Sequence, residues 1–361
     1  MQGEEKKIAP AGEVARVYMR YARRSWVLLT CVLVTGIIIQ GADLASPLFL
    51  REFFNTLALN KPSATIAHAL AITLGLIAIM WLIDWAGRRL QDVANIYFSS
   101  GIMTSLYADA FEYLMGHSYN FFISNFAGTL THRVSRFARS FETISDNILI
   151  QFYPTFLFVF GATVVLYLHN RVLGIILLAW SVAFVWFQIY IAKLRQASRH
   201  ARAEADTKVT GTLADAISNQ STIMQFSGTP YELGIFNNVV SLWRKATLNS
   251  WLIDSATWGG IGLFVILIQA SLLYGAIIYW QRGLLTLGDF VLIQAYLLSV
   301  FNLLMGISYQ LRRFYDAFAE AGEMVSILNL AHEIKDAKSA APLTVSTGII
   351  NFKNIDFYFM G

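Results

Sequence analysis

Apolar and polar stretches alternate along the chain in an uneven rhythm. Six apolar runs, Trp26 to Leu50, Ile66 to Ile83, Phe152 to Leu168, Val172 to Ala192, Trp258 to Trp280 and Phe290 to Met305, fall into three pairs. Links inside each pair are short, whereas the two links between pairs exceed sixty residues. Most runs approach or exceed the about 18 apolar residues that cross a bilayer as a helix. The pattern predicts an all-α membrane protein with six transmembrane helices.

Composition agrees. Of 361 residues, 56% are hydrophobic and only 14% charged, so a water-facing surface could not cover six such runs. The first run has no small-residue cleavage site behind it and is expected to stay as a span. Lys6, Lys7, Arg16, Arg20, Arg23 and Arg24 precede it, which predicts a cytoplasmic N-terminus. With six crossings, both long links and the C-terminal tail fall on the same side. Of the 27 Lys and Arg, only Arg51, Lys61, Arg171 and Arg282 are then expected near the outside. The cations flank spans and form no single patch, which argues against nucleic acid and leaves membrane lipid as the surroundings. Cys31 has no partner for an intrachain disulfide, and the six histidines show no HExxH spacing, so no metal site is predicted.

The long links are helix-forming. Lys193 to Ile217 is free of proline and places Arg202 with Asp206, and Glu204 with Lys208, four apart. Asp84 to Phe111 and Tyr231 to Ser250 are similar, and each link is expected to be a water-exposed helical hairpin. Breakers place the tips at Gly116 to Gly128 and Asn219 to Pro230. Both tips carry apolar side chains, Phe121, Phe122 and Phe126 in one, Ile223, Met224 and Phe226 in the other. Such residues at the end of a stalk need a cover, either a partner or the hairpin's own arms. Pro47 and Pro154 are expected kink points in the first and third spans. Thr286 and Asp289 have capping-box spacing before the sixth.

In order along the chain, NFFISNFAGTLTHR (Asn120 to Arg133), LADAISNQSTIMQF (Leu213 to Phe226), GLLTLGDF (Gly283 to Phe290) with Tyr296, and GIINFKNIDFYF from Gly348 resemble segments of one family. Together they resemble the membrane domain of an ABC exporter of the six-helix, half-transporter type. The resemblance implies a cytoplasmic segment (1–25), a transmembrane domain (26–330), a linker (331–347) and the start of a nucleotide-binding domain (348–361). It implies coupling helices at the two tips, with Asn120, Phe121 and Phe122 in the first and Ser221, Thr222, Ile223 and Phe226 in the second. It also implies an adenine-stacking aromatic at Phe359, and a second half-transporter, most simply an identical copy. Phe137 and Met224 depart from the acidic residue and the lysine that the family commonly has there. ATP and Mg are expected through a nucleotide-binding domain, in cis beyond residue 361 or on a separate subunit. The sequence holds no GxxxxGK[ST] loop, so this stretch is not expected to hydrolyse ATP alone, and its end is read as a truncation or as the front of a longer reading frame.

The function so implied is ATP-driven export by alternating access in a cell or inner membrane, with both termini cytoplasmic. The alternative is an ABC-like permease that is proton-driven or served by a separate ATPase. For the substrate cavity, Asp43 is the candidate charge, costly inside a span. Gln188, Gln294 and Asn302 are candidate hydrogen-bonding groups.

Overall fold

The computed structural model describes residues 9–334, 339–340, 344, 348 and 353–356. Among them are eleven α-helices and one π-helical turn. The order is α1 (Ala11–Arg24), α2 (Trp26–Leu59), α3 (Ala64–Met115), α4 (Tyr119–Ser124), α5 (Ala127–Asp146), the π turn (Asn147–Phe152), α6 (Tyr153–His169), α7 (Arg171–Ser218), α8 (Gln220–Gln225), α9 (Thr229–Gln281), α10 (Leu287–Met305) and α11 (Ile307–Leu328). No strand occurs among the described residues. The expected strand after Gly348, with Phe359, lies mostly outside them.

Six helical units are long and apolar enough to cross a membrane, one for each expected span. Their outer faces expose Trp81, Leu82, Phe156, Phe160 and Trp186, each at least 60% accessible, which is the surface lipid would cover. The spans run past their apolar windows because nothing in the sequence stops them. α3 has 52 residues, α7 48 and α9 53, so α3 alone is roughly 78 Å long. The third unit is broken instead. Pro154 has no N–H to donate to the carbonyl one turn earlier, and its ring crowds that carbonyl. The preceding turn widens, and the N–H of Tyr153 bonds to the Ile148 carbonyl five residues back. Pro47 leaves α2 continuous.

Two cores result. In one, Val14 and Tyr18 of α1 pack with Phe98 and Leu106 of α3, Phe137 and Phe141 of α5, and Met324 of α11. In the other, Phe158 of α6, Phe184 of α7, Leu272 of α9 and Tyr296 of α10 meet. Phe137, a departure from the family pattern, is therefore a buried core residue.

Helix α2 joins both halves through polar contacts inside apolar surroundings. At its far end the Arg51 guanidinium bonds Asp289 of α10 at 2.5 Å, and Asp289 is 4% exposed. The same carboxylate accepts from the Thr286 N–H at 2.6 Å and hydroxyl at 2.8 Å, which is the expected capping box. Gly288 donates its N–H to Asn55 Oδ1 at 2.8 Å. A Cβ at Gly288 would sit 2.1 Å from the Arg51 carbonyl oxygen, so only glycine permits this approach. Nearer the middle of α2, Asp43 pairs with Arg88 of α3 at 2.9 Å, and Arg88 also holds Asp84 at 2.8 Å. Asp84 and Arg88 thus face Asp43 across the α2–α3 pair, where the opposite charges offset one another.

The arm made by the later parts of α7 and α9 also differs in detail. Lys208 pairs with Glu204 as expected, at 3.3 Å. Asp206 instead accepts from the Trp243 indole, and Arg202 lies 5.5 Å over the Trp251 ring. Helix α9 packs alongside and offers better partners than a solvated i,i+4 pair.

Breaking the Arg51–Asp289 pair leaves one charge buried, which typically costs about 3–5 kcal/mol. A double-mutant cycle with Arg51→Gln and Asp289→Asn, read as unfolding midpoints in detergent, should show coupling of about 2 kcal/mol, since Arg51 keeps some exposure. Additive effects would contradict this joint.

Candidate functional site

Three features carry chemistry: the two hairpin tips and a polar cavity between them and the other end of the bundle. At the first tip, α3 ends at Gly116 and Ser118 begins α4. Phe121 is 5% exposed and stacks on the His117 ring at 4.1 Å. Its cover comes from the chain itself. His332, just after α11, lies 4.4 Å from the Tyr113 ring and 4.8 Å from the His117 ring, and its Nε2 is 2.9 Å from the Tyr113 carbonyl. Ser118 donates to Glu333, and Tyr113 donates to the Leu330 carbonyl. A Cβ at Gly116 would fall 2.7 Å from His332, so glycine admits the ring. His117 is 8% exposed and neither ring nitrogen has a hydrogen-bond partner. Burial, then the neighbouring His332, push its pKa below the ordinary value, while Glu333 acts in the opposite sense.

The second tip is open. In α8, Ser221 and Thr222 are exposed and Ile223 is half-buried. Met224 is 64% and Phe226 80% exposed. The helix closes with the Gly228 N–H on the Ile223 carbonyl at 2.8 Å, which forces Ser227 to a φ of 52°. Asn120 of α4 is exposed and Phe122 is 37% exposed. The tips therefore differ: one tucks its key aromatic inward, the other presents it.

The cavity, about 560 Å³, is lined by Arg89, Asp92 and Asn95 of α3, Thr143 and Asp146 of α5, Asn147 and Gln151 of the π turn, and Gln310 and Arg313 of α11, with three apolar neighbours. Asn95 donates to Asp146 at 2.9 Å, and Arg89 pairs with Asp92 at 3.0 Å. The amide oxygens of Asn95 and Asn147 are buried without partners. A buried unpaired acceptor costs about 1–3 kcal/mol unless something donates to it. The wall thus carries two guanidinium and two carboxylate groups, while two of its amide oxygens are buried without a partner. The π turn decides which side chains it shows, as such turns often do at functional places.

Sequence reasoning did not single out this wall. Its polar residues sit on separate segments among apolar neighbours, and only the fold brings them together. The one local signal was Asn147 and Gln151, four apart, just before Pro154. The candidate cavity residues lie elsewhere. Asp43 is engaged by Arg88. Gln188 is buried and reaches the Met305 carbonyl at 3.4 Å, where the sixth unit breaks between α10 and α11. Gln294 is half-buried with an unpartnered Oε1, and Asn302 is exposed.

Comparison with known proteins decides the family. The ABC transporter transmembrane region matches residues 29–304. The chain belongs to this family. It is similar to the ATM1-type heavy metal exporter of Novosphingobium aromaticivorans, 23% identical over 333 residues that cover 88% of this chain and 52% of that protein. It is similar also to the mitochondrial iron-sulfur clusters transporter ATM1 of Yarrowia lipolytica, 22% identical over 90% of this chain and 47% of that one. A solved bacterial Atm1-family ABC exporter with ATP bound shares the fold, with a TM-score of 0.61 at 21% identity, over 90% of this chain and 56% of that one. The chain spans about half the length of these relatives. As an ABC transporter transmembrane region it is a multi-pass membrane protein.

The contact between His117 and His332 predicts a pH response. Docking of the first tip on the segment after α11 favours neutral His117, so the undocked form binds more protons below about pH 6.5. Docking should be fully present above that value and weaken as pH falls through it. In a Cys31→Ser background, excimer emission from pyrene labels already attached at Ser118→Cys and Glu333→Cys should weaken on going from about pH 7.5 to about pH 5.5. The drop should vanish in His117→Phe. Emission independent of pH in both would contradict the contact's dependence on neutral His117.

Proposed function

We propose that this chain is the membrane part of an ATP-driven exporter that works as two copies by alternating access, with both termini cytoplasmic. The observation that carries the proposal is the set of three helices joining the cavity to the first tip. α3 lines the cavity at Asn95 and ends at Met115, α5 starts at Ala127 and reaches the cavity at Asp146, and α11 leaves the cavity at Arg313 and ends beside the tip. From Asn95 to Met115 is roughly 30 Å of unbroken helix. A push on the tip is delivered at the cavity wall, because a straight helix bends little over that length.

In this proposal nucleotide-binding domains press on α4 and α8, where Asn120, Phe121, Phe122, Ser221, Thr222, Ile223 and Phe226 form the coupling residues. The exposed Phe226 and Met224 suit an apolar socket on such a domain. ATP and Mg belong to that domain, in cis or on a separate subunit.

The cargo in this reading is a polar conjugate that carries charges of both signs. Arg313 would meet a carboxylate, and Asp92 and Asp146 would accept from its donors. Among the described residues no group of three or more His, Cys, Asp or Glu could hold a metal ion. A metal cargo, as in the relatives' names, would in this reading travel as an organic complex.

Inside-out vesicles containing the protein with its ATPase partner, loaded with ATP outside, test this with cadmium supplied with or without cysteine. ATP-dependent accumulation of the complex should survive collapse of the proton gradient and fall about tenfold in Arg313→Gln, the loss of one charged hydrogen bond. Uptake abolished by a protonophore and indifferent to ATP would favour the proton-driven alternative.

A further inference from the structure

Helix α1 divides its surface sharply. One face is fixed to the bundle: Val14 is fully buried and Tyr18 is 4% exposed, with the Tyr18 hydroxyl donating to the Phe137 carbonyl at 2.6 Å. The Tyr21 hydroxyl donates to Asp109 of α3 at 2.7 Å, and Asn329 donates to Glu13 at 3.1 Å. Burial and the Asp109 carboxylate push the Tyr21 pKa up to about 12, so this anchor stays a donor at any physiological pH.

The other face carries Arg16, Arg20, Arg23 and Arg24, which with Met19 line an open recess of about 470 Å³. Their spacing of four, three and one residues puts all four on one side of the helix. Arg24 has an ion partner, Asp109 at 3.8 Å, but Arg16, Arg20 and Arg23 have none among the described residues. The helix cannot roll to hide these charges, because Val14, Tyr18 and Tyr21 hold its opposite face.

The recess also has a fixed place. Ser25 alone separates Arg24 from Trp26, where the first membrane span begins, and Trp26 is 65% and Val27 60% exposed. An exposed tryptophan at the start of a span marks the level of the lipid headgroups. The recess is therefore at the bilayer surface, with a guanidinium cluster that needs anions and a Met19 side chain that suits acyl or glycerol carbons.

We propose that the arginine face of α1 is a binding site for the headgroup of an anionic phospholipid, whose phosphate and extra negative charge are shared by Arg16, Arg20 and Arg23. Guanidinium groups take phosphate oxygens two at a time, which gives the site more than diffuse attraction. Occupation would hold α1, and through Tyr18 and Tyr21 the middle of α5 and the last part of α3, at a set depth in the membrane.

The test uses the purified full chain in zwitterionic micelles, titrated with a short-chain phosphatidylglycerol. Native mass spectrometry counts bound lipid, and the unfolding midpoint follows its effect. Phosphatidylcholine of equal chain length and inorganic phosphate are parallel arms. The Arg16→Gln/Arg20→Gln pair should bind phosphatidylglycerol about twenty-fivefold more weakly, since each cation near an anionic surface counts for about a factor of five. Its midpoint without added lipid should stay unchanged, because both side chains are exposed. Arg244→Gln/Lys245→Gln, exposed on the α9 arm and equal in charge removed, should bind like the parent. Equal binding by both double variants would overturn the site. Protection by inorganic phosphate as large as that by phosphatidylglycerol would overturn the lipid assignment and leave a soluble-anion site.

Discussion

In a bilayer no water is present to satisfy an unpaired peptide group, and the rest of this structure follows from that constraint. Each span must close its hydrogen bonds within itself, so each becomes a helix. A helix once started has no reason to end at the membrane surface unless a breaker stands there. α3, α7 and α9 contain no proline past their first turn, and they continue as stiff arms of the same helix that crossed the membrane. The long arms beyond the apolar windows are thus a by-product of the rule that makes the spans. A place where the ladder is rearranged, the π turn before Pro154, is also where amide side chains enter a cavity.

Helix–helix contact inside the membrane gains little from hydrophobicity, since lipid tails are as apolar as leucine. Polar joints therefore have weight here. Arg51 with Asp289, and Asp43 with Arg88 and Asp84, tie α2 to α10 on one side and to α3 on the other. Close approach at Gly288 and at Gly87, where a Cβ would meet Ile39 at 2.8 Å, supplies the remaining fit. Because α2 begins next to α1 and its arginine face, the depth of α1 at the surface and the packing of the spans are mechanically one question.

Much of the architecture is legible along the chain, because it depends on local properties. Length and hydropathy mark all six spans. Glycine, proline and asparagine mark both tips, which the structure closes at Gly116 to Phe126 and Asn219 to Gly228. The capping box at Thr286 is also local, and it is present. The site is less legible because it depends on pairs far apart in sequence. Arg51 and Asp289 are separated by 238 residues, and Tyr113 and His332 by 219. No periodicity links such positions. The Arg202 and Asp206 spacing suggested an ion pair, yet Trp243 and Trp251 of a neighbouring helix take both partners. The apolar tips looked alike in sequence, but His332 folds over one and leaves the other open.

The account stands on the claim that the cavity at the π turn opens to opposite sides of the membrane in turn. A single cysteine at Gln151, in a Cys31→Ser background and with the ATPase domains present, reports this directly when it is labelled by a membrane-impermeant maleimide applied from one side at a time. The account predicts labelling from the cytoplasmic side without nucleotide, and a switch to the opposite side when a non-hydrolysable ATP analogue is bound. Labelling from the same side in both states, or from both sides at once, would contradict it.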